Sequence, residues 1–432
     1  MEDRSSAPRE RMITVVTFGP GPKFKGGIAN YNTSLAKALD RRGDVKVHIV
    51  SWTQQYPAII PRDFIDRKSK KDLLQGTSIE IHYITNYNNP FSWYRTVRLI
   101  RSINPDMVIF QWAIAIQGIP LGWMARRLVR KDTCEVLFDL HFVRQKEGSG
   151  LDSMLTRYGI SAAHSYVVHA ARTADELTGL FPGRTFRVAE SRQEKKGKGN
   201  QVIRLYHPVY DMFIPDPHFD IQHQKETLGL KEHVFLFFGF IRKYKGLHHV
   251  IRAFEGVARQ RSDVSLLIVG ESFWQTLDSH KTGTRIKNLL FGFFKRLFLR
   301  KADDERNYRP LDLITELNLS GQVRLVNEFV PNEDVHRYFQ VSDYIMLFYE
   351  TATPSGVESL AYNFKLPALA TRVGHFPETI KDGYNGYLAE PGDIGSMTEV
   401  MLKALDQPVP REHVAETSAR MSWDNYAAAI TG

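Results

Sequence analysis

Residues 349–378 read YETATPSGVESLAYNFKLPALATRVGHFPE. They follow the apolar run Tyr344, Ile345, Met346, Leu347, Phe348, which reads as a buried strand. A small polar turn from Thr351 to Gly356 leads into a helical pattern that begins near Val357 and carries Leu360 and Ala361. Pro367 to Thr371 reads as the next strand. Strand, turn and helix in this order leave free backbone N–H groups at the helix start, where an anion can sit. An ordinary N-cap by Ser355 or Thr353 accounts for the same residues equally well. Glu350 and Glu358 flank the turn. A carboxylate beside a phosphate-binding turn is unfavourable unless it bonds something else, such as sugar hydroxyls.

The chain around this stretch has 432 residues, more than one typical core, so two domains are expected. It is 43% hydrophobic and 24% charged, an ordinary globular balance. A net charge of +9 favours an anionic partner. The lone Cys134 excludes an intramolecular disulfide framework and a cysteine-rich zinc site. Residues 1–11 are polar and lack an apolar signal core, and no apolar run approaches the ~18 residues of a membrane span. A cytoplasmic protein is expected.

Upstream, Met12 to Phe18 reads as a strand, followed by a glycine-rich loop that ends in Gly26 and Gly27. A helix with Ile28, Tyr31, Leu35, Ala38 and Leu39 on one side and a strand at 45–50 complete a βαβ opening. That predicts a parallel sheet and an α/β fold. Phe24 stands where the dinucleotide fingerprint needs its third glycine. Gly26 and Gly27 serve either a tight turn or a close backbone approach to a phosphate. Further strands are expected at 79–84, 107–110, 135–139 and 166–169, and a flexible charged loop at 189–200. His141 falls just after a strand, at the end where open α/β sheets bind ligands. It can meet a substrate hydroxyl or be a satisfied structural histidine. The second half opens its own pattern: a strand at 234–238, the loop 239–246, a helix with Leu247, Val250, Ile251, Phe254 and Val257, and a strand at 264–269. Arg242 and Lys245 in that first loop suit a diphosphate, or form a solvated basic loop.

Gly26–Gly27 after the first strand of one half, the loop 239–246 after the first strand of the other, and the late 349–378 stretch occur together in a known order. So do Lys245-Gly246-Leu247, Ser355-Gly356-Val357, Pro377-Glu378 and Asn385-Gly386-Tyr387-Leu388. Over nearly its whole length the chain resembles a family 4 glycosyltransferase of GT-B fold. The resemblance implies two Rossmann-like domains facing across a cleft: an acceptor-side domain at 1–206, a linker at 207–232, and a donor domain at 233–415. A C-terminal helix at 416–432 would cross back towards the first domain. It implies a nucleotide-sugar donor, with its diphosphate at Arg242 and Lys245, its distal phosphate at the N–H groups near Ser355, Gly356 and Val357, and Thr353 as an alternative to Glu350 at the sugar. Gly26 and Gly27 would approach from the opposite domain. The base would lie near Glu328, Phe329 and Val330, His141 near the transferred sugar, Glu350 near the donor sugar and Glu358 at the ribose. A gapless register counted back from Pro367 instead puts the family's glutamate pair at Ala352 and Leu360; Glu350 and Glu358 are preferred. No cofactor or obligatory metal is expected, and no clustered metal-ligand spacing stands out. The family also implies retention of configuration and a role in glycan or polysaccharide synthesis.

The chain also departs from the family at Phe240, where relatives often carry Arg and Arg242 is the substitute, and in an insertion. Residues 281–304 form an insertion in which Ile286, Leu289, Leu290, Phe293, Phe294, Leu297 and Phe298 share one helical face. Lys281, Arg285, Lys287, Lys295, Arg296, Arg300 and Lys301 border it. Such a helix either lies on an anionic membrane, beside a lipid-linked acceptor, or packs on its own domain. No nucleic-acid recognition motif accompanies the charge. A GT-B nucleotide-sugar epimerase and a catalytically weak nucleotide-sugar binding protein are the competing functions.

Overall fold

The computed structural model describes residues 12–57, 64–70, 72–131, 134–143, 150–193, 199–272, 308–352 and 356–432. The expected basic helix at 281–304, Thr353 and Ser355 lie outside the described residues.

Two all-parallel sheets carry the fold. The first holds Ile13–Phe18 (β1), Val45–Gln54 (β2), Glu80–Asn86 (β3), Met107–Trp112 (β4), Glu135–Leu140 (β5), Ser165–Val168 (β6), Arg187–Ala189 (β7) and Gln201–Arg204 (β8). Their order is β3-β2-β1-β4-β5-β6-β8-β7. The second holds His233–Phe238 (β9), Val264–Val269 (β10), Val323–Val326 (β11), Tyr344–Leu347 (β12), Ala368–Thr371 (β13) and Gly386–Ala389 (β14), in the order β11-β10-β9-β12-β13-β14. The two-domain α/β fold anticipated from the sequence is therefore present. β7 and β8 are an exception: they enclose the stretch read as a plain loop. They are only 3 and 4 residues long, and the three residues of β7 are exposed or half-buried, so no hydrophobic period announces them.

Both sheets reverse direction of growth at their first strand. β1 lies between β2 and β4, and β9 between β10 and β12. Such switch points open a crevice at the carboxyl ends of the strands. The loops after β1, β9 and β12 issue into it. These are the loops that carry Gly26–Gly27, Lys245 and Gly356.

The helix Leu247–Ala258 shows how local pattern sets the packing. Leu247, Val250, Ile251, Phe254 and Val257 recur at helical spacing and are all fully buried. Gly246 starts it with φ 65°, and a Cβ there would stand 2.0 Å from the Phe348 carbonyl oxygen. Only glycine fits that approach of the β9 loop to the end of β12. At the far end of the chain, the helix Trp423–Thr431 leaves the second domain and packs on the first. Trp423 meets Tyr31 at 4.8 Å between ring centroids, and the Tyr426 hydroxyl donates to Asp139 at 2.9 Å. The Arg192 N–H donates to the Ala429 carbonyl at 2.8 Å.

Candidate active site in the interdomain cleft

A cavity of about 310 Å³ lies between the sheets at both switch points. The first domain contributes Phe24, Gly26, Gly27, Asn30 and Asp66; the second contributes Gly239, Tyr244, Lys245, Glu271, Phe329, Val330, Tyr349, Gly356, Val357 and Leu360. Of the residues singled out from the sequence, Gly26, Gly27, Lys245, Val330, Gly356 and Val357 meet in this one space.

Lys245 is the centre of its electrostatics. The side chain is 8% exposed, and no carboxylate lies within ion-pairing distance of it among the described residues. Burial, then the neighbouring positive charge of Arg242, pushes its ammonium down to about 8. Arg242 itself does not line the cavity; its guanidinium lies 5.7 Å from the Tyr244 ring centroid. Opposite Lys245, Gly26 holds φ 103° before the helix Gly27–Arg41, and the Tyr210 hydroxyl donates to the Gly27 carbonyl at 3.0 Å. The helix Gly356–Asn363 starts at the same cavity, with Gly356 and Val357 of its first turn in the lining.

The cleft is bridged at its outer edge. Lys68 Nζ lies 3.2 Å from a Glu328 carboxylate oxygen and 3.3 Å from the Phe329 carbonyl. The Asn332 N–H donates to Ser69 Oγ at 3.1 Å, and the Lys70 N–H to Glu333 at 3.0 Å. Lys25 Nζ sits 5.1 Å from the Phe329 ring centroid. These contacts span the wall beside Val330.

Four expected site residues do not line the cavity: Arg242, described above, and Glu358, Glu350 and His141. Glu358, expected at a ribose, is 2% exposed and turned away from the cavity. It accepts from Thr379 and Tyr362 and pairs with His375 Nε2. The cause is helical phase: Gly356, Val357 and Leu360 share the cleft face, and residue 358 falls on the opposite side. Leu360, the alternative register, occupies the cleft position. Glu350, expected near the donor sugar, does not line the cavity; Tyr349 does. The Glu350 carboxylate lies 3.5 Å from His248 Nε2 and 3.8 Å from His249 Nε2. His141 follows β5 as expected but is packed behind the glycine turn. Its Nε2 pairs with Gln111 Oε1 at 2.8 Å, its ring meets Tyr31 edge-on at 4.6 Å, and burial pushes it down to about 4, so it is neutral at pH 7.

The carboxylates that do line the cavity are Asp66, Glu271 and Glu328. Glu328 belongs to the stretch 328–330 expected beside the base, whereas Asp66 and Glu271 had no role in the sequence reading. The only signal was positional for Glu271, which follows β10 at the carboxyl edge of the sheet.

Residues 218–422 match the family described as Glycosyl transferases group 1. No curated protein matches the chain by sequence. Among solved structures, sucrose-phosphate synthase from Thermosynechococcus elongatus is similar at 15% identity, with 96% of each chain covered and a TM-score of 0.61. A glycosyltransferase from Rickettsia africae is 14% identical over 96% of each chain, TM-score 0.63. Anabaena HepE in complex with UDP-glucose is 14% identical over 96% of this chain and 98% of that one, TM-score 0.63. At these identities the likeness is one of fold.

Proposed function

We propose, on the premise that residues 218–422 match the Glycosyl transferases group 1 family, that this protein transfers a sugar from a nucleoside-diphosphate donor to a saccharide or lipid-linked acceptor. The observation that carries the reading is Lys245: a buried ammonium, without a carboxylate partner among the described residues, facing a helix start and a glycine turn across one cavity. A buried charge in that setting is stabilised by an anion. A diphosphate fits the space between the two domains.

In this reading the bond from the anomeric carbon to the distal phosphate breaks, and its electrons pass to the phosphate oxygen. The acceptor hydroxyl forms the new bond to the same carbon, and its proton leaves with the departing diphosphate. The Lys245 ammonium and the N–H groups at Gly356 and Val357 meet the growing phosphate charge and lower the barrier. Gly26 and Gly27 close on the phosphates from the opposite side. Phe329 and Val330 flank the base. Glu271 and Asp66 receive sugar or ribose hydroxyls, in place of the helix glutamate that Leu360 replaces. His141 acts as a positioning residue through Gln111. We take the reaction to retain configuration, to ask for no metal ion, and to serve glycan or polysaccharide synthesis.

Thermal-shift screening against UDP-, GDP- and ADP-sugars names the donor, because only a ligand of the folded state raises Tm. With that donor, Lys245→Ala should lower kcat/KM by ~10²–10³-fold, the range seen when one stabilising donor is removed. Epimerised donor formed without acceptor would replace transfer by epimerisation, and tight nucleotide binding without turnover would replace it by binding alone. A membrane-borne acceptor is tested by vesicle flotation on anionic lipid: changing Phe293, Phe294 and Phe298 to Ser should abolish binding, and unchanged binding removes the membrane role.

A further inference from the structure

β3 is the edge strand of the first sheet, paired in parallel with β2 so that His48 lies opposite Glu80 and Val50 opposite His82. His48, Glu80 and His82 thereby converge on one face of the two strands. His48 Nδ1 lies 3.5 Å, and His82 Nε2 3.9 Å, from the same carboxylate oxygen, Glu80 Oε2. All three donor atoms fall within 4.8 Å of one another. The imidazole rings stack at 5.8 Å with 20° between their planes.

Two further observations point to a ligand. First, His48 Nδ1 and His82 Nε2 are both buried and lack a hydrogen-bond partner. His48 is only 4% exposed, and its unpartnered nitrogen faces the Glu80 oxygen. A buried polar atom left without a partner is unfavourable, and two aimed at one point are seldom tolerated. Second, the carboxylate is already held for such a role. Lys46 Nζ stands 3.5 Å from the other oxygen, Oε1, which leaves Oε2 for the histidine pair. Oriented ligands of this kind are a regular feature of metal centres.

We propose that His48, Glu80 and His82 bind a divalent transition ion of the zinc class. Two imidazoles and a carboxylate are a zinc donor set, and a tetrahedral ion ~2.0–2.1 Å from each donor sets them about 3.3 Å apart. Small side-chain rotations from the present separations reach that arrangement. Glu80 is exposed, so a water completes the coordination from the solvent side. The role is structural. The three residues sit in the amino-terminal halves of β2 and β3, whereas the cleft lies at the carboxyl ends. The ion pins the edge strand to its neighbour and so fixes the return of the connection that carries Lys68, Ser69 and Lys70 to Glu328, Asn332 and Glu333 of the other domain. Neither histidine spacing nor a local motif marks the site, because its ligands come from two strands.

The test uses tag-free, full-length protein stripped with chelator. Titration with Zn²⁺ should show a saturable site that raises Tm, and Co²⁺ should give the visible absorption of a four-coordinate ion. His82→Ala should abolish both, with a loss in affinity beyond the ~10–100-fold typical of an outer-shell partner. Glu80→Gln, a surface change that leaves the fold intact, should weaken binding as well. His249→Ala, in the separate grouping with His248 and Glu350, should leave the site untouched. The proposal is overturned if wild type and His82→Ala bind alike, if no site saturates, or if binding disappears in His249→Ala instead.

Discussion

Lys245 carries a penalty in the unliganded protein. Burial lowers its ammonium to about 8 from an ordinary value near 10.5. Below pH 8 both folded and unfolded chains hold the proton, and the full penalty is present. As pH rises from 8 to 10.5 the folded chain releases it first, so this residue's contribution to stability improves over that window. Anion binding runs the other way, because a diphosphate needs the protonated form. Affinity for the nucleoside diphosphate should be level below pH 8 and then fall, approaching ~tenfold per pH unit. Isothermal titration across pH 6.5–9.5 measures this, and Lys245→Ala should flatten the profile. The residue was legible as a candidate because a lysine in a tight loop after a strand is a local feature. Its burial, and its lack of a carboxylate partner among the described residues, were not, since they depend on what the rest of the fold places around it.

At the scale of the element, the helix Gly356–Asn363 does two jobs with two faces. One presents Gly356, Val357 and Leu360 to the cleft. The other buries Glu358 under His375, Thr379 and Tyr362, and Ser359 against His207 Nδ1 at 2.8 Å. Glu358→Gln should therefore leave the donor KM unchanged and lower stability by ~1–3 kcal/mol, the range for disturbing a buried charged acceptor. Denaturant unfolding and steady-state kinetics separate the two effects. A raised KM at unchanged stability would return Glu358 to the donor site. The sequence showed that a helix begins here but left its phase open, because Glu350 and Glu358 have the family's mutual spacing while Pro367 points to another register. Packing chose the phase that Pro367 indicated.

Across the whole molecule, the two domains meet through a buried aromatic and histidine cluster. Tyr31 packs against His141, His169, His207 and Trp423, and Asp139 accepts from Tyr426 and pairs with His169 Nε2 at 2.8 Å. Burial opposes the charge on Asp139, but the pairing with His169, together with His141 and the Tyr426 hydroxyl, outweighs it and holds the carboxyl at about 2. Burial lowers His141 to about 4 and holds His207 well below the ordinary histidine value. Both are neutral in the native protein. Their contribution to stability is complete above an ordinary histidine value of about 6.5 and is lost as pH falls towards 4. Tm should hold level above that value and decline over this window, and His207→Asn should make the decline shallower. A Tm independent of pH between 6.5 and 4 would remove these histidines from the account. By itself the sequence determined two α/β halves, the glycine turns, and the loops that carry Lys245 and Gly356, because strand and helix periods and glycine positions act over a few neighbouring residues. Only the tertiary structure decided that Leu360 and not Glu358 faces the cleft, that Asp66 and Glu271 line it, and that His48, Glu80 and His82 converge. Those outcomes depend on strand register and on packing between segments far apart in the chain, which no local pattern specifies.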